Sequence, residues 1–514
     1  MEIFVPLYVA IPLGCAFIGS IIGIFSKAFS RLFTSLVLAF MAGLSVYLIL
    51  LQKFPIVYTV GGWKAFNRVP IGIYMVMDGL SVYLVTIVNV IGFLSAFYSI
   101  SYIKRFTGEN YYYSLFSLMI AGMNGVILSG DLFNLYVFLE IAAISSYALV
   151  AFGIEKEQLE ASFKYQVLGG ISSLFILLSI GLIYWYTSTL NIADISRVLS
   201  HKSFPKTIVF VEIILLSAFG LKAAMIPFHA WLPDAHSSAP SPISSMLSGV
   251  LIKAIGAYVI MRLFFNLFAI SYSIAYVITV IGTISMVVGV LLAIGQWDIK
   301  RLLAYHSISQ MGYVILGIGI GMLVISKNGN MDIASLAIAG GLFHLFNHAV
   351  FKGLLFLNAG AVEYVTGIRD MKRLGGLAGG MPITASTSMS ASMSISGIPP
   401  FNGFFSKLII IIASAKAGYY VLSILAVFVS MITLASFLKV QRFTFFNNSG
   451  EKWSERGITI KEVPFPMCFS MIFLAVLCIV LSLMVFPSVR DVVLMPAVNV
   501  LLKSSVYSTN ILGY

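Results

Sequence analysis

The chain alternates between long apolar runs and short polar connections. A helix that crosses a membrane needs about 20 mainly apolar residues, and about fourteen runs meet that length. Their cores fall near 3–25, 32–51, 72–100, 112–129, 132–153, 163–187, 207–228, 242–266, 271–295, 302–325, 334–360, 383–416, 420–440 and 465–486. Two runs carry helix breakers. The stretch from Gly220 to Pro227 interrupts 207–228. The run 383–416 is too long for one straight span and contains Ser396-Gly397-Ile398-Pro399-Pro400. Proline removes a backbone donor and clashes with the preceding turn, so both runs are expected to break. Irregular backbone at membrane depth is tolerated only where it is buried or lines a wet cavity. The pattern therefore predicts an all-α polytopic membrane protein. Two breaks in corresponding places, each beside a lysine, point to the inverted repeats of a transporter.

The polar positions inside these runs matter more than those between them. Lys222, Lys253, Lys352, Lys407 and Glu140 all lie in apolar segments, with several histidines. A charge at the bilayer centre costs about 2.5–3.5 kcal/mol on insertion scales. A row of such residues marks a polar path for ions, protons first.

Composition narrows the class further. Of 514 residues, 60% are hydrophobic and 10% charged, which excludes a soluble globular protein. The net charge of +12 comes from basic residues clustered in loops, a signature of membrane topology and not of a nucleic-acid surface. Cys15, Cys468 and Cys478 form no CxxC pair and read as small core residues. No dinucleotide or phosphate-binding glycine motif occurs, so no cofactor, metal or redox chemistry is expected in this chain. Met1 to Ile24 lacks a basic start and reads as a retained helix. An even number of spans puts both termini on one side. The loops sharing a side with Lys27, Arg31, Lys104, Arg105, Lys300, Arg301, Arg369, Lys372 and Arg373 hold more basic residues, so both termini are expected outside the cell membrane. The polar stretch 441–463 is expected along the inner face, and the tail after 487 on the surface or docked on a neighbour.

Glu140 lies roughly 14 Å along its helix from Asp131, near mid-membrane. Asp131 reads as a helix cap, and Asp78 as a cap or subunit contact. Glu140 needs a cationic partner, and Lys222 is the natural candidate. Burial disfavours a charged lysine and a nearby carboxylate favours it, so this pair could switch the proton occupancy of Lys222. Lys253 lies among small residues that favour close helix packing. His344, His348 and Lys352 recur every four residues and share one helical stripe. The histidines serve a relay or core hydrogen bonds; for zinc they lack a local third ligand. Lys407 is the last strong charge in an apolar run and reads as a terminal proton site. His306 is either a relay or a satisfied interfacial residue. His229 and His236 flank Trp231-Leu-Pro-Asp234 and are candidates for proton uptake at the inner mouth.

These residues bring a family into view. Gly220-Leu-Lys222-Ala-Ala-Met-Ile-Pro227-Phe-His-Ala-Trp231-Leu-Pro-Asp234-Ala-His236, continuing to Lys253, resembles the antiporter-like subunits of respiratory complex I. So do Phe343-His344 through Lys352-Gly353-Leu-Leu-Phe and Ser396-Gly-Ile-Pro-Pro-Phe-Asn-Gly-Phe-Phe-Ser-Lys407. Asp131-Leu-Phe-Asn-Leu-Tyr-Val-Phe-Leu-Glu140 is most similar to the large subunits of Mrp-type sodium/proton antiporters and to their relatives in membrane-bound hydrogenases. The resemblance covers about residues 70–440. It implies two inverted five-helix repeats, spans 4–8 and 9–13, with a polar axis along the membrane. It implies Glu140 and Lys222 as the coupling pair, Lys253, His344 and His348 as the middle, and Lys407 as the terminal site. The long lateral helix of the largest complex I subunit is not present in this sequence.

The expected organisation is a three-helix segment (1–110), a first repeat (111–266), a second repeat (267–440) and a closing segment (441–514). The expected function is proton translocation in a multisubunit redox-driven pump. The alternative is an Mrp-type sodium/proton antiporter without redox partners. An inactive membrane scaffold is disfavoured by the complete polar chain. Expected partners are other membrane subunits: antiporter-like chains, small multispan chains and a hydrogenase-like or quinone-reductase-like arm. The bilayer and protons complete that set, with sodium in the wider complex. Lys253→Arg is expected to impair ion transport in membrane vesicles, because arginine does not readily release a proton.

Overall fold

The computed structural model describes residues 2–63, 65, 66, 69–201, 206–447, 453 and 457–513. Its helices, in chain order, are α1 (Phe4–Phe25), α2 (Lys27–Leu51), α3 (Gly79–Tyr102), α4 (Glu109–Leu128), α5 (Leu132–Val150), α6 (Lys156–Thr187) and α7 (Ile192–His201). Then come α8 (Lys206–Lys222), α9 (Trp231–Ser238), α10 (Ser241–Leu267), α11 (Tyr272–Ile294), α12 (Ile299–Ser326) and α13 (Met331–Thr366). The chain ends with α14 (Pro382–Ser396), α15 (Asn402–Lys416), α16 (Tyr420–Gln441), α17 (Phe465–Val480), α18 (Pro487–Val493), α19 (Met495–Leu502) and α20 (Tyr507–Leu512). Among the described residues, one antiparallel strand pair, β1 (Ile56–Thr59) on β2 (Tyr74–Met77), sets Ile56 opposite Met77.

Among the described residues, 12 helices are long and apolar enough to cross a membrane. The two remaining runs are those with breakers. The first stops at Lys222 and resumes as α9; the second is divided between α14 and α15. Each piece is too short to span alone, which reconciles these 12 with the fourteen runs of the sequence. The second break uses Gly397 at φ 79°, a left-handed conformation that favours glycine. A β-carbon at Gly403 would collide with the Ser394 carbonyl oxygen, so glycine alone lets α15 approach α14 this closely. Both breaks fall in the fourth span of a five-span set, α4–α10 and α11–α16. An odd number of spans makes the second set run in the opposite sense to the first.

Side-chain caps start several helices. Asp78 accepts from Ser81 N (2.9 Å), Asp131 from Asn134 N (2.8 Å) and Asp298 from Arg301 N (2.8 Å). Each satisfies a backbone donor that the first helical turn leaves free. The apolar stretch of α10 is completely buried, whereas α16 has about a third of its stretch buried. Helices α3, α10, α12 and α13 form the interior. Helices α1, α2, α6 and α16 turn apolar faces outward, with Phe17, Leu36, Leu174 and Ile424 exposed to the lipid. Tyr83 and Tyr98 of α3 donate to the carbonyls of Leu342 and Leu357, tying α3 to α13.

Two expectations change. Asp78 does more than cap. Its carboxylate takes both terminal nitrogens of buried Arg262, at 2.7 and 2.9 Å. The tail after 487 docks on its own chain, where Asn266 Nδ2 donates to Val500 O (3.0 Å) and Arg262 stacks over Tyr507 at 5.3 Å. The stretch 441–463 falls partly outside the described residues. Its described end places Glu462 against the start of α14, accepting from Ile383 N (2.8 Å) and Thr384 Oγ1 (2.6 Å).

Removing one partner of a buried ion pair leaves the other charge uncompensated, at a cost of about 3–5 kcal/mol. Arg262→Met should lower the melting temperature of the purified protein and open α19 and α20 to proteolysis. The double variant Arg262→Met/Asp78→Leu should recover part of the loss.

Candidate functional site

The polar residues of the apolar runs line up through the middle of the molecule. At one flank, α8 ends at Lys222, which is buried; Ala224 just after it has φ 54°. The Lys222 ammonium donates to Gly169 O (3.1 Å) and to Ser173 Oγ (3.2 Å) on α6. Ser173 in turn donates to the Glu140 carboxylate on α5. A serine hydroxyl therefore joins the expected pair, accepting from the lysine and donating to the glutamate. That is the polarity of a proton wire. Glu140 is only half-buried, on a face of α5 that also exposes Phe133, Val137 and Ile144.

In the centre, α10 departs from α-helical geometry. It widens into π-turns at Leu247–Leu251 and Lys253–Ala257. Such turns concentrate at functional sites. The wider turn lets Lys253 Nζ fold back onto Ser248 O, at 2.6 Å. Ser248 Oγ lies 2.6 Å from Ser307 Oγ on α12, and Ser307 donates to Leu303 O. Lys352 of α13 donates to the same Leu303 carbonyl, at 2.5 Å. Lys352 thus meets this turn of α12 directly, and Lys253 is linked to it through Ser248. His306, on that turn, is fully buried against Phe437 (ring centroids 4.8 Å apart), and neither ring nitrogen has a partner among the described residues. It sits in the interior and not at the membrane edge.

Toward the second break, the rings of His344 and His348 are nearly parallel, with centroids 6.4 Å apart. His344 meets Ser406 Oγ through Nδ1 (2.9 Å) and Gln310 Oε1 through Nε2 (3.2 Å). Both of its nitrogens are therefore occupied by side-chain groups. Among the described residues, no three His, Cys, Asp or Glu side chains gather as a metal cage. Tyr313 stacks near His344 at 5.4 Å and under the Lys407 ammonium at 4.9 Å. Lys407 donates to Ile395 O (2.7 Å), one of the carbonyls that the break after Ser396 releases. A cleft of about 210 Å³, lined by Gly397, Phe404, Lys407 and Ser430, opens beside it.

All four lysines thus donate to main-chain carbonyl oxygens. A carbonyl is a neutral acceptor. It holds the ammonium without locking the charge in place, as the Asp78 carboxylate locks Arg262.

The uptake candidates separate. His236 is fully buried between Trp231 and Phe356, within electrostatic range of Lys352, Lys253 and Lys300. His229 is half-buried in the turn after Pro227. Near His236, a cavity of about 530 Å³ opens at the ends of α3, α12 and α13, and Arg105, Lys300, Glu363 and Arg369 line it. Lys300 is buried at its floor, 3.7 Å from Glu363, and donates to Ala239 O (2.6 Å) in the α9–α10 turn. Sequence reasoning did not single out Ser173, Gln310, Tyr313, Ser406 or Glu363. Serine and glutamine in an apolar helix carry no pattern of their own; their partners come from other helices.

These features define a polytopic helical protein with a buried, proton-capable axis between two broken helices. The chain belongs to the NADH:quinone oxidoreductase/Mrp antiporter transmembrane family, whose model matches residues 129–433. It is 33% identical over 453 residues to the D-type subunit of the sodium/proton antiporter of Alkalihalophilus pseudofirmus, covering 87% of each chain. Its fold is similar to that of a chain in the Mrp complex from Dietzia sp. DQ12-45-1b, with a TM-score of 0.88 and 26% identity over 100% of this chain and 99% of that one. It is also similar to a chain of a membrane-bound sulfane sulfur reductase, an archaeal respiratory membrane complex (TM-score 0.86, 28% identity, 99% of this chain and 100% of that one).

Positioned proton carriers contribute about 10²-fold or more to transfer rates. Ser173→Ala should therefore slow transport strongly in reconstituted vesicles. Ser173→Thr, which keeps the hydroxyl, should retain most of it.

Proposed function

We propose that this chain is a proton-translocating, antiporter-like subunit of a multisubunit, redox-driven pump in the cell membrane. The observation that supports the reading is the set of buried ionisable side chains Lys222, Lys253, Lys352, His348, His344 and Lys407, with half-buried Glu140 joined to Lys222 through Ser173. This axis runs across both repeats, taken as 111–266 and 267–440. Protons pass stepwise along it, with His306 beside the central turn. The half-buried Glu140 and the cleft beside Lys407 leave both ends of the axis open to neighbouring membrane subunits. Redox groups belong to those partners and not to this chain.

Uptake takes place at the basic-loop face, which the positive-inside bias assigns to the cell interior, with both termini outside. The cavity floored by Lys300 and Glu363 leads to His236 and from there to Lys253. His229, in the turn at Pro227, stands aside from this route.

The second reading is a sodium/proton antiporter without redox partners. The 33% identity to a D-type antiporter chain favours it. Both readings share the proton axis and differ in the company the chain keeps. The axis residues are lysines, histidines and one glutamate, which carry protons, so protons are the ion assigned to this subunit.

Purification from mild detergent with mass spectrometry of the associated chains separates the two. Hydrogenase-like or iron–sulfur partners support the redox pump; small antiporter subunits alone support the exchanger. Lys222→Ala and Lys407→Ala should each abolish transport by the intact complex in vesicles. Near-normal transport by both overturns the axis.

A further inference from the structure

Glu212 has no place in the axis. It lies on α8, about 15 Å before Lys222 at 1.5 Å per residue. Only 4% of it is exposed, and it shares the buried stripe of α8 with Leu215, Phe219 and Lys222. No hydrogen bond or ion pair reaches it from the described residues. The charges of the preceding α7, Asp194 and Arg197, pair with each other at 2.6 Å. A buried carboxyl group without a partner weakens a fold. Among the described residues, its carboxyl group contributes no hydrogen bond or ion pair to the fold.

The neighbouring helix supplies a second polar group. Helix α6 packs antiparallel to α8, with Ser172 Oγ on Ala218 O (2.9 Å) and Lys222 Nζ on Gly169 O (3.1 Å). Two turns further along α6, and nearly two turns back along α8, this register brings Ser179 level with Glu212. Ser179 is fully buried, and its hydroxyl also lacks a partner. Glu212 and Ser179 thus form a second polar level between these helices, about 15 Å along α8 from Lys222 toward the end where α8 begins. The main axis leads away in another direction, through α10 and α12.

We propose that Glu212, with Ser179, is a second proton-exchange site, connecting the Glu140–Ser173–Lys222 group to the membrane face where α8 begins. Lys222 then has two outlets, one along the axis and one along α8. The coupling group gains direct exchange with that face. The proposal rests on the reading of the axis as a proton path.

The test uses the intact complex in proteoliposomes and three variants of this chain. Glu212→Gln keeps size and polarity but carries no exchangeable carboxyl proton; it should lower the transport rate by about tenfold or more, with assembly and melting temperature preserved. Glu212→Asp should restore at least half of the lost rate, as a purely steric role would not. Ser179→Ala, which leaves the carboxyl group untouched, should slow transport about twofold or more. A wild-type rate in Glu212→Gln overturns the proposal. If Glu212→Gln fails to assemble, a wild-type rate in Ser179→Ala is enough to overturn it. Lys407→Ala is measured alongside. If it abolishes transport while Glu212→Gln does not, the axis stands and the second site falls. If Lys407→Ala, Lys222→Ala and Glu212→Gln all leave the rate unchanged, the axis itself falls.

Discussion

A charge inside a bilayer has no water to fall back on, and the rest of this structure is arranged around that fact. Desolvating an ammonium group is costly unless something replaces its hydration. Here the replacement is main-chain carbonyl oxygen: Gly169 for Lys222, Ser248 for Lys253, Leu303 for Lys352 and Ile395 for Lys407. These acceptors are neutral, so a proton leaving Lys253, Lys352 or Lys407 abandons no adjacent carboxylate, whereas Lys222 is linked to Glu140 through Ser173. The Arg262–Asp78 pair shows the contrasting solution, two full charges in bidentate contact. That pair anchors the C-terminal helices, and neither member lies on the axis.

Disturbed helical bonding supplies two of these carbonyls, and the second lone pair of a carbonyl within an intact helix supplies the other two. In a regular α-helix each carbonyl is already engaged by the amide four residues on. The break after Ser396 frees those that Lys407 uses, and the π-turns of α10 bring Ser248 O within reach of Lys253. On α6, Gly169 leaves its carbonyl approachable from α8. At Lys253 and Lys407 the irregular backbone and the buried lysine are therefore one device, whereas Gly169 and Leu303 accept from within α6 and α12. The breaks also shorten two helices below spanning length, so tertiary packing must hold the pieces together.

Much of this was legible in the sequence because the physical costs are one-dimensional. Apolar runs of spanning length, prolines inside them and charges at their centres each stand out against a uniform background, so the spans, both breaks and the principal axis residues could be read directly. Glu212 was as visible as Glu140, a carboxylate in an apolar run, but it carried no motif and was passed over. The hydroxyl and amide links Ser173, Gln310 and Ser406 were hidden for another reason. A serine in a membrane helix most often bonds to its own backbone, and only a neighbouring helix can make it a link.

The sequence by itself determined that this chain is a helical membrane protein with ionisable residues at depth, because hydrocarbon admits helices readily and charges only at a price. It also settled where the helices break, since proline acts locally. Tertiary structure alone decided which groups touch. It set Ser173 between Glu140 and Lys222, folded the C-terminal tail onto Arg262, and brought Lys352 of α13 onto the Leu303 carbonyl of α12. Such contacts depend on the rotation and register of packed helices. Those are set by side chains far apart in the chain, and no local pattern encodes them.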